Sequence, residues 1–170
     1  MIRPLNRHEI RIALEIINSA AQAYRGVIPA DCWQEPYMPL EELVAELEAG
    51  VKFWGFEAEG RLAGLMGRQK VRDVILIRHA YVRPAAQRHG IGARLLARLR
   101  QGVTSPLLVG TWAAAWWAIR FYEKHGFRLV TPEEKDRLLR TYWTISPRQV
   151  ETSVVLADER WFENRPGVSG

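Results

Sequence analysis

Two glycines and several polar side chains lie close together between Gln87 and Ala93, in the sequence QRHGIGA. The residues before this segment, Val74 to Val82, are mostly β-branched, apolar and aromatic, which predicts a strand. Downstream, Ile91, Leu95, Leu96 and Leu99 recur at helical spacing and predict a helix, whose first N–H groups have no internal partner. Gly90 and Gly92 allow a ligand to approach the backbone, and a helix N-terminus favours an anion. The segment therefore predicts a phosphate-binding loop.

Two common phosphate-binding motifs do not fit this loop. A dinucleotide-binding fingerprint needs a third glycine, here near Leu95, and an acidic residue about 20 residues later. This chain has neither residue at those positions. A Walker loop needs Lys and then Ser or Thr after the second glycine, where this chain has Ala93 and Arg94. The segment instead resembles the Q/R-x-x-G-x-G/A pyrophosphate loop of the GNAT superfamily of acyl-CoA-dependent N-acetyltransferases, with Gln87, Gly90 and Gly92 at the pattern positions.

A second motif of the same superfamily follows in the expected order. Residues Ala118 to Phe127 (AIRFYEKHGF) are similar to the family pattern A-x-x-F-Y-E-K-x-G-F. The strand end Tyr81 to Pro84, which precedes the loop, is also typical of the family. On these motifs the chain is identified as a member of the GNAT superfamily, with the resemblance covering Ile2 to Val130 and a closing strand at Val150 to Leu156.

The resemblance implies a fold and an activity. The fold is an α/β (α+β) domain with a mixed, mostly antiparallel central sheet of about seven strands flanked by helices. The sheet is expected to splay between the Val74 to Val82 and Leu107 to Gly110 strands. The activity is direct transfer of an acetyl group from acetyl-CoA, as co-substrate and without a metal, to a primary amine. The acceptor stays open among a protein N-terminus, a lysine and a small amine.

The resemblance also assigns the residues that bind acetyl-CoA. Backbone groups at the end of the Val74 strand are expected to line the pantetheine arm and polarise the acetyl carbonyl. The glycine loop is expected to hold the pyrophosphate. The predicted cofactor-binding residues are Ala80, Tyr81, Val82, Gln87, Arg88, His89, Gly90, Ile91, Gly92 and Ala93.

Tyr122 stands at the position of the family tyrosine that protonates the departing thiolate, and this resemblance makes it the expected general acid. Its helix is rich in aromatic residues, so the alternative is a tyrosine that fills the core. The sequence departs from the family at two places. Ala115 stands where an asparagine is frequent, and Gly110 stands where an acidic residue is often found.

Few side chains of the central segment could act as the general base, because no carboxylate occurs from Val74 to Tyr122. His79 is the titratable group of the central strand closest to neutrality, and we expect it to act as the base or to begin a water chain. The alternative is a hydrogen-bonded core histidine. Glu57 could substitute through water, and Cys32 has no histidine nearby in the sequence that would make it a nucleophile.

Aromatic side chains in two segments are candidates for the acceptor site. Trp33 and Tyr37 lie in a proline-rich connection between the first two predicted helices, and Tyr142 and Trp143 lie near the end of the chain. The resembled family builds its acceptor site from both regions. Filling of the core is the alternative for all four.

Periodicity and turn residues predict the remaining elements. The predicted strands are a short one at Ile2 to Leu5, a hairpin of Val51 to Ala58 and Arg61 to Val71, a buried strand at Leu107 to Gly110, and strands at Phe127 to Val130 and Val150 to Leu156. The predicted helices run from a cap at Asn6 to about Tyr24, from Leu40 to Ala49, from Thr111 to Lys124 and from a cap at Thr131 to about Arg140.

Length and composition predict one domain over residues 1–157, which the resemblance implies is an acetyltransferase domain, and we expect the tail at 158–170, which lacks periodicity, to be partly disordered. The sequence has one cysteine, no apolar run long enough for a membrane span and no signal peptide, which favours the cytoplasm. The expected partners are acetyl-CoA and an amine acceptor, with no nucleic acid and no membrane, and the resemblance allows a homodimer.

The net charge of +5 is unevenly distributed. The stretch from Val74 to Tyr122 holds seven arginines and no acidic residue, which leaves 17 basic against 19 acidic residues elsewhere. This concentration favours an anionic ligand near the glycine loop, although Arg98 and Arg100 could merely solvate the helix. Two alternatives remain, a cofactor-binding sensor of the same fold and a basic nucleic-acid-binding module. The latter would need interleaved basic and aromatic residues, which the sequence lacks.

Overall fold

In the computed structural model of the protein, residues 1–164 are described. The strands are β1 (Ile2–Pro4), β2 (Lys52–Ala58), β3 (Arg61–Val71), β4 (Val74–Val82), β5 (Leu107–Trp112), β6 (Arg128–Leu129) and β7 (Ser153–Ala157). The helices are α1 (Ile10–Ala21), α2 (Leu40–Glu48), α3 (Ile91–Arg100), α4 (Trp116–Lys124), α5 (Pro132–Tyr142), α6 (Pro147–Glu151) and α7 (Glu159–Glu163). Short 3₁₀ helices cover Arg7–Glu9, Gln22–Tyr24, Ala30–Cys32 and Pro84–Ala86.

The strands form a seven-stranded sheet in the order β1-β2-β3-β4-β5-β7-β6. The β1–β2, β2–β3, β5–β7 and β6–β7 pairs are antiparallel. A mostly antiparallel sheet of seven strands with flanking helices confirms the predicted fold class. By its internal contacts the chain forms two units, and each has its own apolar cluster.

The first unit comprises Met1–Arg25, Gln34–Lys70 and Ile77–Val103. Helices α1 and α2 place one apolar face against β2 and β3, as their 3.6-residue periodicity requires. The buried residues of this cluster are Ala13, Ile16, Ile17, Met38, Leu43, Val51, Phe53, Leu62 and Leu65. Asn18 fixes the connection between the two helices, since its side chain accepts from the Met38 amide at 2.7 Å and donates to the Met38 carbonyl at 3.0 Å.

Helix α3 belongs to the same unit and contacts β2. Its buried residues are Ile91, Leu95, Leu96 and Leu99, the four apolar positions that the sequence predicts. At its C-terminal end the Leu99 carbonyl accepts a hydrogen bond from Arg68 Nη1 at 2.6 Å, which satisfies one of the carbonyls that a helix end leaves unpaired.

The second unit comprises Gly26–Trp33, Val71–Leu76 and, of the described chain, residues 104–164. Its buried cluster consists of Val74, Leu76, Leu108, Leu138, Leu139, Val150, Val155, Ala157 and Trp161. Strand β7 pairs with β5 along its whole length, from Ser153 opposite Trp112 to Ala157 opposite Leu108. Successive residues of both strands are buried, Leu107 to Val109 in β5 and Val155 to Ala157 in β7, so their apolar residues are continuous in sequence rather than alternating.

The bounds of four predicted elements differ from the structure by more than one residue. Strand β5 continues to Trp112 because its second half pairs with β7, so α4 begins at Trp116 rather than at Thr111. Strand β6 has only two residues instead of the predicted Phe127 to Val130. Val150 lies in α6 rather than in a strand, because Ser146 caps that helix and accepts from the Gln149 amide at 3.1 Å.

The segment after β7 is partly helical where the sequence predicts no regular element. The Asp158 amide donates to the Leu107 carbonyl at 3.0 Å, and Asp158 Oδ1 accepts from the Leu107 amide at 3.2 Å. Trp161 in α7 is buried in the second unit. The remainder of the predicted tail, beyond residue 164, lies outside the described residues. Over residues 1–164, no helix has both the length and the apolarity to cross a membrane.

Candidate functional site

The glycine loop follows β4 and leads directly into α3. Arg88 and Gly90 both have left-handed backbone conformations, with φ of 70° and 74°. The loop is tied to the strand by the Gln87 side chain, whose Nε2 donates to the Val82 carbonyl at 3.1 Å. His89 Nδ1 lies 3.1 Å from the Ala86 carbonyl oxygen. The side chains of the loop thus hold its shape, and its backbone faces the start of the helix.

The N-terminus of α3 has no side-chain cap, because its N-cap residue is Gly90. The Arg94 amide is the first to find a helical acceptor, the Gly90 carbonyl at 3.1 Å. The amides of Ile91, Gly92 and Ala93 precede this bond and have no acceptor within the helix. Three adjacent donors at the positive end of a helix of ten residues can bind an anion.

Gly64 on β3 allows β4 and the start of α3 to approach β3 closely. A Cβ atom at this position would lie 3.2 Å from the Tyr81 carbonyl oxygen, from Val82 Cγ2 and from Ile91 Cγ2. Those distances are tighter than most side chains tolerate. A larger residue at 64 would therefore displace three of the predicted cofactor-binding residues, a constraint that the sequence pattern of β3 does not reveal.

The arginines around the loop differ in what they contact. Arg83 donates to the Leu62 carbonyl at 2.7 Å and pairs with Glu15 at 2.6 Å. Arg94 lies over the Phe56 ring at 4.8 Å, and Arg98, one helical turn later, lies over the Trp54 ring. Contacts with aromatic rings offset the repulsion between like charges on α3. Arg88 is exposed and makes no ion pair with any residue of 1–164, which leaves its charge available to a ligand.

His79 is the centre of a second cluster in the first unit. It has a left-handed φ of 55° within β4, and its ring Nε2 is in hydrogen-bond contact with Glu46 Oε2 of helix α2. The other carboxylate oxygen of Glu46 accepts from Arg78 Nη2 at 2.8 Å. Arg78 Nη1 in turn donates to Gln69 Oε1 at 2.9 Å. The side chains of His79 and Glu46 are only 13% and 16% exposed, so this chain of polar contacts is largely shielded from water.

The carboxylates of α2 have different electrostatic environments. Burial would raise the pKa of Glu46, but the hydrogen bond from His79 and the positive charges of His79 and Arg78 lower it below its ordinary value. Glu42, one helical turn earlier, has a raised pKa because of burial and the nearby charge of Glu46. Glu46 is therefore the ionised partner of the histidine at neutral pH.

Tyr81 packs beside His79, and Tyr24 and Tyr37 pack around Tyr81. The Tyr24 ring lies 5.4 Å from that of Tyr37 and 6.4 Å from that of Tyr81. The His79 ring is nearly parallel to the Tyr81 ring at 6.4 Å and lies 6.0 Å from the Phe53 ring of β2. Burial, together with Tyr24 and Tyr37, raises the pKa of Tyr81 well above its ordinary range, so its hydroxyl stays protonated at neutral pH.

The structure thus brings three of the predicted site residues together in the first unit, His79, Tyr81 and Tyr37. It adds Tyr24 and Glu46, which the sequence analysis does not single out. Glu42 and Glu46 form an acidic pair at i, i+4 on a helix that otherwise shows apolar periodicity, and that pair is the signal available in the sequence. The partner on β4 cannot be found from spacing, because 33 residues separate Glu46 from His79.

Tyr122 belongs to the second unit, where it is 4% exposed on α4. Its ring packs at 5.0 Å and 5.5 Å against the rings of Phe121 and Phe127. Its carbonyl accepts from the amides of His125 and Phe127, both at 3.0 Å. The residue therefore has a structural role at the end of α4, and its role as general acid stays a prediction.

The other predicted acceptor residues also belong to the second unit. Trp33 is half-buried after the Ala30–Cys32 turn, and an ion pair between Asp31 and Arg148 at 2.8 Å ties this turn to α6. The Tyr142 hydroxyl donates to Asp73 Oδ1 at 2.7 Å.

The ring of Trp143 covers Gly110, where an added Cβ would lie 3.4 Å from Cζ2 of the indole. The absence of a side chain at Gly110 is thus matched by packing of an aromatic ring. Within residues 1–164, no group of three or more His, Cys, Asp or Glu residues is arranged to hold a metal ion.

Known proteins share both the sequence pattern and the fold. Residues 17–141 match a family model described as an acetyltransferase (GNAT) domain. The chain is 26% identical over 152 residues to the peptidyl-lysine N-acetyltransferase YiaC of Escherichia coli (strain K12), covering 89% of this chain and 99% of that protein.

Two solved structures illustrate the likeness of fold. The PaiA N-acetyltransferase from Thermoplasma acidophilum, in complex with coenzyme A, has a TM-score of 0.68 at 17% identity, covering 93% of this chain and 97% of that one. The acetyltransferase YncA from Salmonella typhimurium, with its cofactor acetyl-CoA, has a TM-score of 0.59 at 21% identity, covering 77% and 80%. The chain belongs to the GNAT family and is an N-acetyltransferase that uses acetyl-CoA.

Proposed function

We propose that the chain transfers the acetyl group of acetyl-CoA to the side-chain amine of a lysine carried by a peptide or protein. The observation that carries this proposal is the cluster of aromatic rings and acidic groups around His79. Aromatic faces and carboxylates attract an alkylammonium ion, the form in which a lysine arrives at neutral pH. Tyr24, Tyr37 and Tyr81 supply the rings, and Glu42 and Glu46 supply the carboxylates. The peptidyl-lysine activity in the name of the Escherichia coli relative supports the same acceptor class.

The residues of the loop fit the pyrophosphate of coenzyme A. Gly90 leaves the three amides of Ile91, Gly92 and Ala93 without a competing side-chain cap. Arg88 adds a positive charge without an ion-pair partner in residues 1–164. A diphosphate would supply the acceptors that these donors need, and each charge-assisted hydrogen bond is stronger than a neutral one. We therefore assign Gln87 to Ala93 to the pyrophosphate and the backbone of Ala80 to Val82 to the pantetheine arm.

Two side chains move protons in the proposed reaction. The ammonium must lose a proton before its nitrogen can attack, and we assign the acceptance of that proton to His79, the histidine of β4. The new N–C bond forms as the C–S bond breaks, the nitrogen releases its second proton to solvent as it becomes an amide, and the sulfur leaves as a thiolate that needs a proton. We assign the donation of that proton to Tyr122, because this residue stands at the tyrosine position of the second family motif.

A panel of four acceptors tests the acceptor class by release of free coenzyme A thiol. The panel is an Nα-acetylated peptide with one lysine, the same peptide with a free N-terminus and acetyllysine, spermidine, and a small amino acid. We expect the first peptide to give the highest kcat/KM, by about tenfold or more, because only it offers a lone lysine amine. A higher kcat/KM for the free N-terminus or for spermidine would reject the lysine assignment while leaving acetyl transfer intact.

A further inference from the structure

We propose that Glu46 of helix α2 is a positioning residue for catalysis, holding the His79 ring through Nε2 so that Nδ1 accepts the proton of the acceptor amine. This inference rests on the proposed role of His79 as general base. It adds a residue outside β4 to the catalytic arrangement and specifies which ring nitrogen acts. The observations that carry it are contacts between three secondary-structure elements of the first unit.

The first observation is that Glu46 is itself held in place. Its two carboxylate oxygens have different partners, His79 Nε2 for Oε2 and Arg78 Nη2 for Oε1 at 2.8 Å. Arg78 is fixed from the other side by Gln69 of β3, at 2.9 Å. A carboxylate with both oxygens engaged has little freedom to rotate. Glu46 can therefore fix the orientation of the ring rather than follow it.

The second observation is the conformation of His79. A φ of 55° is left-handed, a region that a residue with a Cβ adopts at a cost in energy. The ring stands between Phe53 of β2 and Tyr81, at 6.0 Å and 6.4 Å. The backbone conformation, the two rings and the carboxylate all constrain the same imidazole. Such concentration of constraints on one titratable side chain is typical of a functional position.

The protonation states follow from the partners. An ionised carboxylate can only accept hydrogen bonds, so the ring nitrogen facing it must carry the hydrogen. Burial would raise the pKa of Glu46, but the hydrogen bond from His79, the charge of Arg78 and, when the imidazole is protonated, the charge of His79 lower it and favour the ionised carboxylate. A neutral imidazole with hydrogen on Nε2 has its lone pair on Nδ1. Nδ1 is thus the nitrogen that can accept a proton.

The charges around the ring determine how the proton is stabilised. Helix α2 presents Glu42 and Glu46, strand β4 presents Arg78 and the neutral Tyr81, and strand β2 presents only the Phe53 ring. When Nδ1 takes the proton from the amine, the ring becomes a cation in direct contact with the Glu46 carboxylate. Glu46 remains ionised and takes no proton. The proton leaves Nδ1 for solvent after the amide has formed.

The test compares Glu46→Gln with wild type and with Glu41→Gln. Glutamine keeps the shape and a hydrogen-bond acceptor but removes the charge, and Glu41 is an exposed acid of the same helix, in its first turn. The first measurement is the pH profile of kcat/KM for the lysine peptide. In Glu46→Gln we expect the plateau to fall about 10- to 100-fold, because the imidazolium that forms during the reaction loses its anionic partner. Glu41→Gln should retain the wild-type profile.

The second measurement does not depend on activity. Nitrogen-15 chemical shifts of the imidazole distinguish the two neutral tautomers, and His79→Asn identifies the signals of His79 among the four histidines. We expect hydrogen on Nε2 in wild type and a mixture of tautomers in Glu46→Gln. Hydrogen on Nδ1 in wild type, or an identical tautomer and pH profile in Glu46→Gln, would overturn the proposal.

The two measurements also separate this inference from the proposed function. If no lysine peptide is acetylated but the tautomer changes in Glu46→Gln, the acceptor assignment fails and the orientation of His79 by Glu46 holds. If His79→Asn has wild-type kcat/KM, His79 is not the base and the catalytic role of Glu46 fails with it. Titration of acetyl-CoA into each variant should give the wild-type Kd, because neither residue belongs to the loop.

Discussion

Gly90 and Gly92 stand two residues apart, yet the structure requires them for different reasons. Gly90 has a φ of 74°, so any residue with a Cβ is strained there by about 1 kcal/mol or more, whatever it does to ligand binding. Gly92 lies inside α3, in ordinary helical backbone. A substitution at Gly92, unlike one at Gly90, therefore tests the approach of a phosphate without straining the backbone of the fold.

Replacement of Gly92 by valine should weaken acetyl-CoA binding by about tenfold or more, or about 1.4 kcal/mol, because its side chain blocks the amides at the start of α3. Valine is no worse than glycine in a helix, so the thermal midpoint should stay within a few degrees of wild type. Calorimetric titration gives the Kd. Ala97→Val, on an exposed position of the same helix, is the control. Equal Kd values for both variants would remove the pyrophosphate assignment.

The predicted role of Tyr122 is also tested at the scale of one atom. Tyr122→Phe keeps a ring that packs between Phe121 and Phe127 and removes only the hydroxyl. We expect kcat to fall about 100-fold with little change in the Kd of acetyl-CoA, since a thiolate can leave slowly without a general acid. Single-turnover acetylation measures the rate of the chemical step. A wild-type rate would mean that Tyr122 serves the packing of α4 alone.

At the scale of elements, α2 and β4 are joined by a charged contact as well as by apolar packing. The pKa of Glu46 is lower in the folded chain than its value of about 4.3 in an unfolded one. The contact therefore stabilises the fold above that unfolded value, and this contribution is lost as pH falls through the folded-state pKa. Acid should loosen the attachment of α2 to the sheet.

Urea unfolding at pH 7 and at pH 3 tests this contact. Glu46→Gln should lower the free energy of unfolding by about 1 to 2 kcal/mol at pH 7 and by less at pH 3, because the contribution of the ionised carboxylate declines as pH falls below its unfolded-state pKa. Glu15→Gln is the matched control, because Glu15 also pairs with an arginine but its side chain is 62% exposed. That pair should contribute about 0.5 kcal/mol or less. A loss in Glu46→Gln that is equal at both pH values would contradict the electrostatic account.

Elements with a strong local pattern are those that the sequence predicts well. The four apolar positions of α3 and the bounds of β3 and β4 agree with the structure because periodicity and turn residues act over a few neighbours. The end of β5 could not be predicted in this way, since its pairing with β7 is a long-range contact. The helical state of Val150 had a local signal, the Ser146 cap, which its β-branched surroundings obscure.

The candidate site likewise has a part that local sequence predicts and a part that depends on long-range contacts. The glycine loop is a contiguous motif and could be found from spacing alone. The contact of Glu46 with His79 joins residues far apart in the chain, and the left-handed φ of His79 has no sequence signature in a strand of β-branched and aromatic residues. A site assembled by tertiary packing is therefore only partly visible in a single sequence.

At the scale of the whole molecule, the positive charge is concentrated but mostly engaged. Of the seven arginines between Val74 and Tyr122, Arg78 and Arg83 pair with carboxylates. Arg94 and Arg98 each lie over an aromatic ring. The attraction of the chain for an anionic cofactor thus depends on a few exposed charges, and Arg88 is the one within the loop.

Salt should weaken acetyl-CoA binding, and Arg88→Ala should flatten that dependence. Between about 50 mM and 500 mM salt the Debye length falls several-fold, so the contribution of an exposed charge is largely screened. Fluorescence titration at several salt concentrations gives the slope of log Kd against log salt. Arg61→Ala, which changes the net charge equally on an exposed residue at the start of β3, should keep the wild-type slope. Identical slopes in wild type and Arg88→Ala would mean that this arginine only solvates the loop.

The left-handed backbone of His79 also bears on how this protein would respond to selection. Asparagine and glycine adopt that conformation at less cost than histidine, so the backbone alone favours them at this position. Only an imidazole, however, can serve the proposed chemistry. A laboratory evolution experiment that rewards heat resistance without assaying turnover should therefore replace His79 by asparagine or glycine only if the cost of the left-handed backbone exceeds the stabilisation from the contact with Glu46. His79 is where we expect stability and activity to trade against each other.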